Sequence, residues 1–283
     1  MPLNVPGILA PLQFLLNPRI IVPGLSVKDI RHLNFNALKK AGYRGIVFDK
    51  DNCLANTLVP ELEEAWKECR QTFGPKNVLV VSNSAGSKRD AGGIQAKSVR
   101  HHLGVPVLFH ASMKPGYSCI KQIRSYFRSL SDPVNDDQLI VVGDRLFTDI
   151  VMANRFPLPP HRTLGVWTTS VWVREATLMR FCERKLLDGV KKWIIARSKA
   201  RASKLAAQAK EDDVNDKFSG KDEVKRKTVG DQSQEEITEG EEAVLRRAFV
   251  HPLPPALPPS RKNGALRTLV NLVKSATVLL RRS

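Results

Sequence analysis

The sequence predicts an α/β fold in which a parallel sheet lies between helical layers, and three observations predict it. Four short apolar runs each stop in a polar cluster. The clusters recur at near-constant intervals: 31 residues from Asp51 to Ser82, 32 from Ser82 to Lys114, and 30 from Lys114 to Asp144. A strand, a crossover helix and their loops take about 30 residues. Each cluster therefore falls one βα step after the last, at the carboxyl edge of one sheet, where ligands bind in such folds.

The first run, Gly45-Ile-Val-Phe48, ends in Asp49-Lys50-Asp51. One carboxylate can attack as a nucleophile, the other can act as acid and base, and both can hold a hard cation. The pair alone is a weak signal, because Asp-x-Asp also occurs in turns and calcium loops; the Gly and terminal Glu of an EF-hand are missing here. The second run, Asn77–Val81, leads to Ser82-Asn83-Ser84-Ala85-Gly86, a hydroxyl followed by small residues that let backbone approach an anion. The third, Val105–Phe109, leads to Lys114-Pro115-Gly116, a point cation before a proline suited to the first turn of a helix. The fourth, Gln138–Val142, leads to Gly143-Asp144-Arg145-Leu146-Phe147-Thr148-Asp149.

Taken singly, each residue has an ordinary structural reading. Lys114 could be a solvated lysine, Ser82 a helix cap, and Asp144 with Asp149 a cap and a first-turn acid. Arg145 could contact substrate or pair with a carboxylate. In their order, however, the four clusters supply what phosphoryl transfer requires: a nucleophile, a hydroxyl or amide cradle, a cation, and carboxylates for a metal.

This ordered set resembles the haloacid dehalogenase superfamily of aspartate-nucleophile phosphatases over about residues 41–180. The resemblance implies a Rossmann-like, three-layer parallel sheet. It also implies that Asp49 attacks phosphorus to form an aspartyl-phosphate, and that Asp51 protonates the leaving alkoxide and then activates water. By the same resemblance Mg2+ is held by the side chains of Asp49 and Asp144 and the main-chain carbonyl of Asp51. The Ser82 hydroxyl and the Asn83 backbone N–H bind phosphoryl oxygens, Lys114 offsets transition-state charge, and Asp149 orients Lys114 or a metal-bound water. After Asp51 the superfamily pattern expects a small residue and then Thr or Val, whereas Asn52 and Cys53 stand here. Asp-Lys-Asp-Asn-Cys resembles the mitochondrial phosphatidylglycerophosphate phosphatases of fungi and plants and their bacterial relatives. Neither interval between motifs is longer than one βα unit needs, so the fold is expected to be capless. An open site suits a protein, a nucleic acid or a lipid head group better than a small sugar phosphate.

The flanks are basic. The net charge is +17, from 45 Lys and Arg against 28 Asp and Glu. Residues 189–210 carry seven basic residues and no acid, and the acids cluster instead in 211–242. The chain thus divides into an apolar and basic membrane-contact segment (1–40), a phosphatase core (41–188), a basic amphipathic helix (189–210), a disordered linker (211–264) and a basic amphipathic C-terminal helix (265–283). Basic amphipathic helices favour anionic membrane surfaces. No run of about 18 apolar residues exists, so no transmembrane helix is expected. Nucleic-acid binding is disfavoured because aromatic residues make up only 6% and do not interleave with the basic runs. The four cysteines (53, 69, 119 and 182) show no metal or redox spacing. The start is acid-poor but proline-rich, a weak match to a presequence.

The resemblance and the flanks together imply a peripheral enzyme on the matrix side of the mitochondrial inner membrane. Its substrate would be the anionic phospholipid phosphatidylglycerophosphate, on the way to cardiolipin. A protein or nucleic-acid phosphatase would use the same residues, and a catalytically silent membrane-binding module is the non-enzyme alternative.

Overall fold

The computed structural model of the chain describes residues 17–50, 60–156, 163–170, 177–218 and 239–251. Its centre is a five-stranded sheet of β1 (Leu25–Val27), β2 (Gly45–Phe48), β3 (Val78–Val80), β4 (Leu139–Gly143) and β5 (Leu164–Thr168). The spatial order is β1-β5-β4-β2-β3, and every pairing is parallel. Strand β2 lies between β3 and β4, so the chain leaves it in one direction and later returns on its other side. That reversal is a topological switch point, where a crevice opens outside the carboxyl ends of the strands.

The strands are short and apolar because both faces of the sheet are covered. All four residues of β2 and all five of β4 are buried. Alternate residues enter different layers. Ile46 and Phe48 pack with Phe35, Leu38, Trp66 and Phe73 from α1 (Phe35–Lys40) and α2 (Pro60–Phe73). Val47 packs on the opposite face with Ile120, Ile123 and Phe127 of α4 (Tyr117–Arg128). Helix α3 (Ile94–Leu103) adds Ala96 and Leu103 to the first layer. After β4 a wide π-helical turn, Leu146–Ile150, runs into the single turn α5 (Val151–Asn154).

The structure moves several boundaries. The segment ascribed to a flank before residue 41 belongs to the folded core from Pro18 onward, because Ile20 and Ile21 are buried and Leu25 and Val27 pair with β5. The expected basic helix at 189–210 is part of one longer helix, α6 (Thr177–Phe218). Leu187, Val190 and Ile194 of α6 pack against Ile20, Ile21, Leu146 and Trp167. The linker region holds α7 (Glu239–Phe249), which returns to the sheet. Phe249 is buried edge-on to Tyr43, its carbonyl accepts the Asn34 N–H, and Arg246 donates to the Ser26 carbonyl. The run Val105–Phe109, expected as a strand, forms only a bridge between Val107 and Val80. Pro106 has no N–H to extend the ladder and contributes its carbonyl alone, to Val80 N–H. Segments 1–16, 219–238 and 252–283 lie outside the described residues, and with them the expected C-terminal amphipathic helix and amino-terminal apolar stretch.

Candidate active site

Strands β2, β3 and β4 each deliver one polar group to the same edge. Phe48 is in register with both Val80 and Val142, so Asp49, Ser82 and Asp144 emerge side by side. The Asp49 N–H donates to the Val142 carbonyl, which fixes where the side chain departs. Asp51, expected as the acid and base and as a carbonyl ligand, lies outside the described residues together with Asn52 and Cys53.

The side chains of Asp49, Lys114, Asp144 and Asp149 form a buried charge cluster. The Lys114 ammonium donates to Asp49 Oδ1 at 2.5 Å and to Asp149 Oδ1 at 2.7 Å. Asp149 also accepts the Arg145 N–H through Oδ2, which turns the carboxylate toward the lysine. Burial opposes the charge on Lys114, but Asp149 and Asp49 outweigh it and hold the ammonium charged, well above the usual lysine range. Burial pushes the Asp49 carboxyl up to about 8. The Lys114 ammonium opposes that rise, and Asp149 and Asp144 add to it.

One carboxylate oxygen each from Asp49, Asp144 and Asp149 lies within 4.8 Å of the others. Three buried carboxylates converge there on a single point, which disfavours their charged forms. Oxygen donors of this kind favour a hard divalent cation, so the donor set suits magnesium. Asp149, whose role by resemblance is to orient Lys114 or a metal-bound water, contributes an oxygen to this cluster.

The second and third loops are tied to one another through side chains. Asn83 Oδ1 accepts the Lys114 N–H at 2.7 Å, and its amide donates to the Lys114 carbonyl at 3.3 Å. Asn83, expected to act through its backbone N–H, therefore also positions Lys114 through its side chain. His110 spans the same loops, with Nε2 at 2.9 Å from the Ser82 carbonyl and Nδ1 at 2.7 Å from the Ser112 carbonyl. Ser82 is fully buried, and its hydroxyl accepts the Ser84 N–H and shares a hydrogen bond with the Ser84 hydroxyl. Gly86 takes φ +75°, and a Cβ there would lie 2.4 Å from the Leu108 carbonyl oxygen. Asp90 accepts the N–H groups of Gly86, Gln95 and Ala96, pinning this loop to the start of α3. Those bonds, the Gly86 bond first, hold its carboxyl below the usual range.

Pro115, expected in the first turn of a helix, lies just before it: Gly116 is the N-cap and α4 starts at Tyr117. Three contributors escaped the sequence reading. Trp167 on β5 donates its indole N–H to the Asp144 carbonyl at 3.0 Å. Gly143 leaves room for Asp149, whose Cβ would lie 2.2 Å from any Cβ at that position. Glu183 on α6 is buried against the turn after β4, accepts the Phe147 N–H and faces Arg145; burial raises its carboxyl to about 7. In the sequence it is one acid among basic residues on a helix, with no motif to mark it.

Comparison with known proteins gives the family. Residues 5–174 match the family model described as mitochondrial PGP phosphatase. The chain is 36% identical over 191 residues to a mitochondrial phosphatidylglycerophosphatase of Saccharomyces cerevisiae, covering 66% of this chain and 98% of the yeast protein. It is 42% identical over 144 residues to a chloroplastic phosphatidylglycerophosphate phosphatase of Chlamydomonas reinhardtii, covering 49% of this chain and 51% of the algal one. A chloroplastic and mitochondrial phosphatidylglycerophosphate phosphatase of Arabidopsis thaliana is 35% identical over 159 residues, covering 54% of this chain and 44% of the plant protein. No solved structure matches the chain.

Proposed function

This chain belongs to the mitochondrial PGP phosphatase family, a group of haloacid dehalogenase-type hydrolases, and on that premise we propose that it hydrolyses phosphatidylglycerophosphate to phosphatidylglycerol with magnesium as cofactor. The observation that carries the chemistry is the Lys114 ammonium held between Asp49 and Asp149, with Asp144 in the same cluster at the sheet's switch point.

In this reading a carboxylate oxygen of Asp49 attacks phosphorus and forms an acyl-phosphate. The bond from phosphorus to the glycerol oxygen breaks, and that oxygen takes a proton from Asp51, assigned by its place two residues after the nucleophile. Asp51 then takes a proton from water, which attacks the acyl-phosphate, releases inorganic phosphate and restores Asp49. Lys114 offsets charge on the phosphoryl oxygens; its two carboxylate partners and the Asn83 side chain fix its position before substrate arrives. The Asn83 backbone N–H and the Ser82 loop would cradle the remaining oxygens. A magnesium ion on Asp49 and Asp144, with the Asp51 carbonyl, would supply further charge neutralisation at the phosphoryl group.

We place the reaction at the matrix face of the mitochondrial inner membrane, in the supply of phosphatidylglycerol for cardiolipin. Among the described residues no helix is long and apolar enough to cross a membrane. Support for a bilayer-bound substrate comes from the net charge of +17 and the named substrates of the relatives. The test is phosphate release from phosphatidylglycerophosphate in mixed micelles, with and without magnesium, beside a soluble phosphomonoester and a phosphopeptide. Magnesium-dependent release from the lipid well above the other two is expected. Release from the phosphopeptide alone would replace the lipid by a protein substrate on the same catalytic residues.

A further inference from the structure

The carboxyl edge of the sheet carries an apolar rim that the catalytic residues do not use. Ile94, Phe109, Tyr117 and Phe181 are 72%, 61%, 62% and 58% exposed, although large apolar side chains are usually covered. Their places in the fold put all four beside the charge cluster. Phe109 leaves the sheet just beyond the Val107 bridge, and Ile94 opens α3 immediately after Gly93, where a Cβ would lie 3.0 Å from the Phe109 ring. Tyr117 begins α4 three residues after Lys114. Phe181 precedes Glu183, which is bonded to the turn after β4, and Arg184 donates to the Thr169 carbonyl at the end of β5.

Basic side chains predominate among the exposed charges described at this edge. Lys28, Lys88, Arg89, Arg145, Arg184 and Lys185 are exposed. Six described acids interspersed with them, Asp29, Asp49, Asp90, Asp144, Asp149 and Glu183, are buried. Two basic side chains lie over rim aromatics: the Arg155 guanidinium 5.1 Å from the Tyr117 ring centre and the Lys185 ammonium 5.7 Å from that of Phe181. Of the exposed acids, Glu63 and Glu64 lie near the start of α2, the helix that follows β2, and Asp132 lies before β4 at the opposite edge.

We propose that this rim is the membrane-docking face: Ile94, Phe109, Tyr117 and Phe181 enter the head-group layer of an anionic bilayer, while the surrounding Lys and Arg side chains bind lipid phosphates. The inference rests on the lipid-phosphatase reading for the reason the edge must meet a bilayer. A substrate whose acyl chains stay in the membrane can present its phosphate to a buried Asp49 only if the carboxyl edge faces the lipid. Aromatic and aliphatic side chains interspersed with basic ones match an anionic interface in both polarity and charge. The docking surface is thereby assigned to the folded core, and not to the basic flanks alone.

Two variants of the full chain test this. In Phe109→Trp, the added emission should shift to the blue and be quenched by brominated lipids when vesicles containing phosphatidylglycerol are added, and not with phosphatidylcholine alone. In Ile94→Ser/Phe109→Ser, turnover of vesicle-embedded phosphatidylglycerophosphate should fall about tenfold or more, with hydrolysis of p-nitrophenyl phosphate unchanged. An unmoved emission in the Phe109→Trp variant, in protein that sediments with the vesicles, would overturn the proposal and assign binding to other segments. Full vesicle turnover by the double variant would overturn it too. Wild-type protein that fails to release phosphate from the lipid even in detergent micelles would sink the substrate assignment instead. The emission of the Phe109→Trp variant would still decide the docking face.

Discussion

Lys114 is held by two carboxylates, and that makes the role of each acid separable by substitution. Asp49→Asn removes the attacking oxygen but keeps the volume and an acceptor for Lys114, so magnesium-dependent phosphate release should fall by about 1,000-fold or more while the urea midpoint holds or rises. A variant with substantial turnover would remove Asp49 as the nucleophile. Glu183 permits a different test. Its carboxyl rises from an ordinary 4.5 to about 7 on burial, so the folded chain keeps a proton that the unfolded chain releases. The stability tied to that proton is complete below about pH 4.5 and is lost as pH rises through about 7. Glu183→Gln should therefore gain stability over wild type between about pH 5 and pH 8, by up to about 3 kcal/mol, read from urea unfolding at each pH. A gap that does not change with pH would mean that Glu183 ionises as freely in the fold as outside it. The main charged residues were legible in the sequence because each follows an apolar run at βα spacing. Asn83's side-chain role, His110 and Glu183 were not, since each depends on a partner 28 to 36 residues away in the chain, in contacts that no local pattern records.

At the scale of elements, the turn after β4 is built around a missing side chain. Gly143 is the last residue of β4, and Asp149 folds back onto it through the π-helical turn. Gly143→Ala would place a methyl group where the Asp149 carboxylate now lies. We expect a loss of about 2 kcal/mol or more and a sharp drop in turnover, because Lys114 loses one of its two anchors. A variant as stable and as active as wild type would mean that Asp149 does not need its observed position. The same scale explains what the sequence missed. Strands β2, β3 and β4 were legible because they are continuous apolar runs. Strand β1 has only three residues, and β5 contains Gly165, an opening where a Cβ would lie 3.1 Å from Ala153. Ser26 in the middle of β1 and Gly165 in β5 break the continuous apolar run that marks the other three strands. Val105–Phe109 carried the right composition, but Pro106 withholds the N–H that a full ladder requires.

Across the whole molecule, residues far apart in sequence close the sheet's β1 edge. Helix α7 follows more than 200 residues after β1, yet Arg246 bonds to Ser26 and Phe249 fills a place beside Tyr43. Charge composition pointed to a linker there, because acidic residues dominate 211–242; the apolar face that docks, with Leu245 and Phe249, is too short to stand out. Phe249→Ala should cost about 2–4 kcal/mol in urea unfolding, and a negligible loss would mean that α7 contributes little to the core. The larger claim is that this sheet exists to hold one nucleophile at a membrane surface. The most direct test uses phosphatidylglycerophosphate labelled in its terminal phosphate, with the reaction acid-quenched during turnover and the digested chain searched for label. The account predicts magnesium-dependent label on the peptide that carries Asp49, and none in Asp49→Asn. Undiminished phosphate release by Asp49→Asn, with no label on the wild-type chain, would contradict it.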